Sequence, residues 1–142
     1  MKILVPIDGS KHSAKIIDYL VKHTAMLEGK NSGLILINVQ PDVIPPEVTQ
    51  YIPKKSIADW YSDQGKAAIK SATAKLDKAK IQYKLVQKVG HVADTILAEA
   101  KTSKADMIVM GSHGRSSLMN LIMGSIATQV LSQAKQPVLI VK

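Results

Sequence analysis

Short runs of unbroken apolar residues alternate along this chain with longer stretches in which apolar positions recur every three or four residues. Ile3 to Ile7 is the first run, and Gly33 to Val39 (GLILINV) is the second. Neither alternates with polar residues, which is the pattern of strands buried on both faces. Between them, Ala14, Ile17, Leu20 or Val21, Thr24 and Leu27 keep helical spacing from Ser10 onward, with Gly29 as a stop signal. Pro41, Pro45, Pro46 and Pro53 then mark a loop, since proline removes backbone donors and fixes φ. From about Lys54 to Lys80 the periodicity is helical again, on a face formed by Ile57, Tyr61, Ala68, Ala72, Leu76 and Ala79, with Gly65 placed to divide the helix in two.

Gln82 to Val89 alternates Tyr83 and Leu85 with Lys84 and Lys88, as a half-exposed edge strand does. A helix follows from about Val92 to Thr102, then a strand over Asp106 to Met110. After a glycine-bearing loop come a helix from Ser125 to about Lys135 and a last strand, Pro137 to Val141. Strands that alternate with helices predict an α/β fold, an open five-stranded parallel sheet with right-handed crossovers and helices on both faces. No linker, repeat or composition shift divides residues 1–142, so one domain is expected.

Composition narrows the chemistry. The chain has no cysteine, which removes disulfides, thiolate nucleophiles and cysteine-based metal sites. His12, His23 and His91 have no metal-ligand spacing among themselves. The apolar start is too short for a signal peptide and is interrupted by Asp8, and no run approaches the ~18 residues of a membrane span. A cytoplasmic protein without membrane contact is expected. The formal charge of +8 serves solubility or attracts polyanions. The lysines form no dense run and no aromatics interleave with them, so nucleic-acid binding is not expected.

The most unusual segment is GSHGRSSLMNLIMGS, Gly111 to Ser125, between a strand and a helix. In open α/β sheets, ligands bind at the carboxyl ends of the strands, where strand order reverses. If the first and fourth strands are neighbours, this loop meets Asp8, Gly9 and Ser10 over one crevice. Gly111 would let backbone approach a ligand, and Gly114 would permit a positive φ and an anion nest. Gly124 and Ser125 open a helix whose free N–H groups and dipole favour phosphate, and the Ser125 hydroxyl either caps the helix or donates to phosphate. Arg115 adds positive charge. The spacing is neither Walker A nor GxGxxG. On physics alone the loop is an anion site or a structural turn with a helix cap.

The spacing Gly111, two residues, Gly114, nine residues, Gly124-Ser125 resembles the ATP-binding signature of the universal stress protein family. VPIDGS (Val5 to Ser10), Asn38-Val39, Gly90, ADMIVMGSHGR and the ending QPVLIVK resemble it too, so the likeness spans essentially the whole chain. Only Asp42 to Tyr61 stands apart, and Val92 departs where many relatives carry proline. The resemblance implies strand order 3-2-1-4-5 and ATP held between the first and fourth strands. It implies Pro6, Ile7 and Asp8 beside adenine and ribose, the Val39 backbone at the adenine edge and Gly111 at the ribose. It further implies Gly114, Gly124, Ser125 and Ile126 at the phosphates, with a divalent cation, Mg²⁺ or Mn²⁺. Similar proteins pair two copies antiparallel through the last strand, so a homodimer through Pro137 to Val141 is expected.

Several residues keep two readings. Asp8 is a cap for the turn after the strand, or a ribose or cation contact. His113 touches phosphate or is solvated. Trp60 and Tyr61 pack as a plug, at the pocket mouth or elsewhere, rather than stacking on a base, and Met107, Met110, Met119 and Met123 are core or interface filler. The function expected is an ATP-binding stress-response module with protein partners the sequence does not name. Only His113 and Asp8 stand where a base could act, so catalysis is expected to be at most slow hydrolysis or autophosphorylation at Ser116 or Ser117. A nucleotide-free interaction scaffold of the same fold is the alternative.

Overall fold

The computed structural model describes residues 1–115 and 123–142. Five parallel strands form one sheet: β1 (Lys2–Pro6), β2 (Gly33–Gln40), β3 (Tyr83–Val89), β4 (Met107–Gly111) and β5 (Val138–Val141), in the order β3-β2-β1-β4-β5. The helices are α1 (Lys11–Lys22), a single turn α2 (Pro46–Thr49), α3 (Lys54–Lys78), α4 (Val92–Thr102) and α5 (Ser125–Gln133). The strands pair in a tight register, with Ile3 opposite both Leu34 and Met107.

The sheet separates two apolar cores. Ile3, Val5, Leu34, Leu36 and Val109 face α1 and α3, while Leu4, Ile35, Ile37, Ile108 and Met110 face α4 and α5. β1 is central, so Ile3, Leu4 and Val5 are all fully buried. Each such side chain contributes about 1.5–3 kcal/mol by leaving water. This explains why the first two strands show no alternation in sequence.

Two sequence expectations need correction. The first helix ends at Lys22 rather than running on toward Leu27. The His23 N–H bonds to both Tyr19 O and Leu20 O, and its ring Nδ1 lies 2.8 Å from Tyr19 O, stacked on the Tyr19 ring. The chain then makes a separate 3-10 turn over Thr24–Leu27. Gly65 does not break α3. A Cβ there would lie 2.5 Å from Gln87 Nε2 and 3.2 Å from Asn38 Oδ1, so the glycine lets an unbroken helix press onto β2 and β3. On β3, Leu85 shares the Tyr83 face but stays 37% exposed because the strand is the sheet edge. In the proline loop, Pro46 occupies the first turn of α2, where its missing N–H costs nothing.

Candidate functional site

β1 pairs with β2 on one side and β4 on the other, so the strand order reverses at β1. At the carboxyl ends of these three strands lies a cavity of 390 Å³. Every residue that the resemblance or the glycine loop marked as a nucleotide contact lines it. β1 and the turn after it supply Pro6, Ile7 and Asp8, and β2 supplies Val39. The exit of β4 supplies Gly111, His113, Gly114 and Arg115, and the start of α5 supplies Gly124, Ser125 and Ile126. Sequence reasoning missed the apolar wall that Ile37, Val92, Ile96 and Met110 add, and the polar Ser13 and Gln40. Val92 and Ile96 stand one turn apart at the start of α4. Placing that helix start at the same sheet edge would have found them.

The turn after β1 is self-contained. Asp8 Oδ1 accepts from Ser10 N–H at 2.9 Å and from the Ser13 hydroxyl at 2.7 Å. Ser13 Oγ accepts from Asp8 N–H at 3.0 Å, and Ser10 Oγ caps α1 by accepting from Ser13 N–H at 3.3 Å. Gly9 has φ +82°, and a Cβ on it would sit 3.0 Å from Ala68 Cα, so both conformation and space demand glycine. Asp8 therefore does serve the turn, with Oδ1; Oδ2 faces Gly114, 2.9 Å from where a Cβ would stand. Burial pushes the Asp8 carboxyl up. The hydrogen bonds from Ser10 and Ser13 and the charge of Arg115 outweigh it, holding the group below its usual range.

The second strand's end is tied to this turn. Asn38 Nδ2 donates to Ile7 O at 2.7 Å, and Gln40 Nε2 donates to Asn38 Oδ1 at 2.9 Å, all buried. Across the cavity, Arg115 Nε donates to Asp8 O at 2.6 Å, joining the β4 exit to the β1 turn.

Gly114, in the β4–α5 loop, works differently from the sequence expectation. Positive φ among described glycines occurs at Gly9, Gly29 and Gly90, so Gly114 is not left-handed. Its lack of a Cβ makes room for Asp8 instead. At Gly111 a Cβ would meet His12 Cβ at 2.9 Å, so that glycine admits α1 as well as lining the cavity. Gly124 lies against the backbone of His113 and Ser112, with its N–H donating to Ser112 O at 2.7 Å, which closes the loop's two ends. Gly124 is also the cap residue of α5, so Ser125 stands inside the helix and its hydroxyl does not cap it. The first intrahelical bond runs from Thr128 N–H to Gly124 O. The N–H groups of Ser125, Ile126 and Ala127 precede it and have no intrahelical partner, and all these residues line the cavity.

His113 is half-buried rather than freely solvated. Its Nδ1 lies 3.0 Å from Ser112 Oγ, and its ring tilts against the His12 ring at 5.4 Å between centroids. Burial, then His113 and the neighbouring Lys11 and Lys15, hold the His12 imidazole below its ordinary pKa against the pull of Asp8. Among the described residues no group of acids and histidines is placed to hold a metal ion. Tyr61 does act as a plug: it is buried, donates to Asp42 Oδ1 at 3.0 Å and accepts from Val43 N–H at 3.2 Å. Trp60 meets it edge-on and stays 44% exposed, and neither residue lines the cavity. Met107 packs on the α1–α3 core, whereas Met110 and Met123 pack on the other. Ser116, Ser117 and Met119 lie outside the described residues.

Comparison with known proteins agrees with this architecture. A universal stress protein of Methanocaldococcus jannaschii is 28% identical over 142 residues, covering 99% of this chain and 81% of its own. The universal stress protein YxiE of Bacillus subtilis is 31% identical over 146 residues, covering 99% of this chain and 98% of its own. The solved structure of the M. jannaschii protein MJ0577 superposes with a TM-score of 0.83 at 25% identity, over 99% of this chain and 94% of that one. The fold is shared by a universal stress protein in complex with cAMP (TM-score 0.71, 24% identity, 100% of this chain and 97% of that one). It is also shared by an Arabidopsis thaliana family protein with AMP bound (TM-score 0.69, 15% identity, 100% and 91%). The model of the universal stress protein family matches residues 1–142, and this chain belongs to that family.

Proposed function

We propose that the cavity at the β1–β4 switch point binds ATP, with Mg²⁺ or Mn²⁺ carried on its phosphates, and that the protein is a nucleotide-dependent regulatory module. The observation that carries this reading is the pairing of two surfaces in one cavity. Ile37, Val39, Ile96 and Met110 give an apolar wall suited to a base, while the rim holds Arg115 and the open N–H groups of α5. The volume of 390 Å³ falls in the range of small-molecule sites. Gly114 keeps the space beside Asp8 clear, and Gly124 brings the start of α5 against the β4 exit. Relatives of the same fold with cAMP or AMP support an adenine nucleotide as the ligand class.

Turnover is expected to be slow at most, because Asp8 Oδ1 is committed to the Ser10–Ser13 turn and His113 Nδ1 to Ser112. The edge position of β5 supports a homodimer formed by antiparallel pairing of Val138–Val141 with a second copy. Isothermal titration of ATP with Mg²⁺ into wild type and a Gly124→Val variant tests the site. A Cβ at Gly124 would lie 3.3 Å from His113 Cα, and valine's branches would force the loop ends apart. The wild type is expected to bind and the variant to lose affinity by at least ~tenfold with unchanged far-UV circular dichroism, a loss of about 1.4 kcal/mol. Absence of binding by the wild type would contradict the proposal and favour an interaction scaffold.

A further inference from the structure

Charge is unevenly placed on this molecule. The strands are parallel and the helices return between them, so all the helix-to-strand connections lie at the end opposite the cavity. Each carries an exposed lysine: Lys30 before β2, Lys80 before β3, Lys104 before β4 and Lys135 before β5. Lys2 and Lys84, also exposed, stand at the starts of β1 and β3. Glu28 and Asp106 are the acids of these connections, and Asp106 Oδ2 accepts from the Lys2 backbone N–H. The connections at the cavity end instead carry Asp8, Asp42 and Glu47, with Arg115 as their cation.

The helix dipole accounts for part of this. Lys22, Lys75, Lys78 and Lys101 occupy last turns, where a cation is favoured. Lys80 and Lys104 are different, because each has left-handed backbone, φ 57° and 53°. α3 closes with Ile81 N–H to Leu76 O and Lys80 N–H to Asp77 O, both 3.0 Å. α4 closes in the same way, with Ala105 N–H to Ala100 O at 2.9 Å and Lys104 N–H to Lys101 O at 3.2 Å. This termination favours glycine at the left-handed position, and a lysine there is strained. Two helices make the same costly choice at the same end. Neither lysine forms an ion pair among the described residues.

At the same end lies an open groove of 410 Å³, lined by Lys2, Gln82, Lys84 and Ser103 together with the apolar Leu34 and Ile35 and the ring of Tyr83. Gln82 follows Lys80 by two residues, and Ser103 directly precedes Lys104. We infer that this groove and its lysine rim are a docking surface for an acidic protein segment, an extended run of Asp and Glu side chains. Charge complementarity selects an anionic partner. Single-stranded nucleic acid would need stacking aromatics, and the one aromatic in the groove, Tyr83, packs into the core with its hydroxyl donating to Asp77 Oδ1 at 3.1 Å. Val43, Val48 and Tyr51, exposed apolar residues that could anchor in a membrane, lie in the connection at the cavity end, while Met1 is the exposed apolar residue beside Lys2 and Gly33 at the groove end.

The test is fluorescence anisotropy of the full chain with a short labelled peptide of alternating Asp and Glu, at low salt. Duplex DNA and phosphatidylserine vesicles are competitors. Lys80→Gly with Lys104→Gly is expected to raise the melting temperature by about 2–4 °C while weakening peptide binding about tenfold. Lys2→Gln with Lys84→Gln should weaken binding similarly without the gain in melting temperature. Lys54→Gln with Lys55→Gln removes the same charge from the other end and should leave affinity within about twofold. Equal losses at both ends would mean that only net charge is felt, and would overturn the proposal. So would a wild type that binds no peptide, or one that prefers duplex DNA or vesicles. A fall in melting temperature on the glycine substitutions would contradict the strain on which the inference rests.

Discussion

The two loops that meet at the cavity both depend on glycine, for opposite reasons. In the β1–α1 turn, Gly9 is held at φ +82° with Ala68 backbone 3.0 Å from where its Cβ would stand. That turn is locked by its own bonds among Asp8, Ser10 and Ser13. In the β4–α5 loop, Gly114 and Gly124 have ordinary backbone and serve by leaving room, for Asp8 in one case and for His113 in the other. The first loop therefore spends glycine on its own folding, and the second on close approach. Substitutions in the first should cost stability. In the second they should cost binding.

The sharpest break of that contrast is Gly9→Ala. Left-handed backbone and the contact with Ala68 together should remove about 2–4 kcal/mol of stability, read from urea unfolding. Ser13→Ala should come next. Its hydroxyl donates to Asp8 Oδ1 and accepts from Asp8 N–H, and losing both should cost about 1–2 kcal/mol by the same measurement. Gly114→Ala should reverse the balance: under about 1 kcal/mol of stability, but roughly tenfold in ATP affinity by titration calorimetry, as its methyl displaces the Asp8 carboxylate.

The smallest effect is one of pH. The Asp8 carboxyl is held below its usual value in the folded state. Its contribution is thus fully present above the unfolded value and lost as pH falls through the folded one. Wild type and Asp8→Asn should differ in urea midpoint at neutral pH and converge as pH drops below about 4. A gap that persists in acid would remove the carboxylate's charge from the account.

Much of this was legible in the sequence because it depends on period and order. Unbroken apolar runs at Ile3–Ile7 and Gly33–Val39 signalled strands buried on both faces, and β1 is indeed the central strand between two cores. The glycine spacing led to the cavity, since parallel topology brings the exits of β1 and β4 to one edge. What stayed hidden depends on neighbours distant in sequence. Gly65 looked like a helix breaker, but Asn38 and Gln87 beneath it explain its presence. Gly114 looked like a left-handed nest residue because glycine's two uses, conformation and room, read alike in a single chain. The end of α1 at His23 turns on a stack with Tyr19 and a ring contact to its carbonyl that competes with helix continuation, which apolar spacing does not report.

The central claim is that these two loops and the start of α5 form one nucleotide site. Titration of Mg²⁺–ATP into isotope-labelled protein, followed through backbone amide resonances, tests it most directly. The account predicts saturable shifts at Asp8, Val39, Gly114 and Ser125 to Ala127, moving together with one dissociation constant. Resonances at these positions that stay fixed while ATP is in excess, or shifts confined to residues outside the cavity, would contradict it.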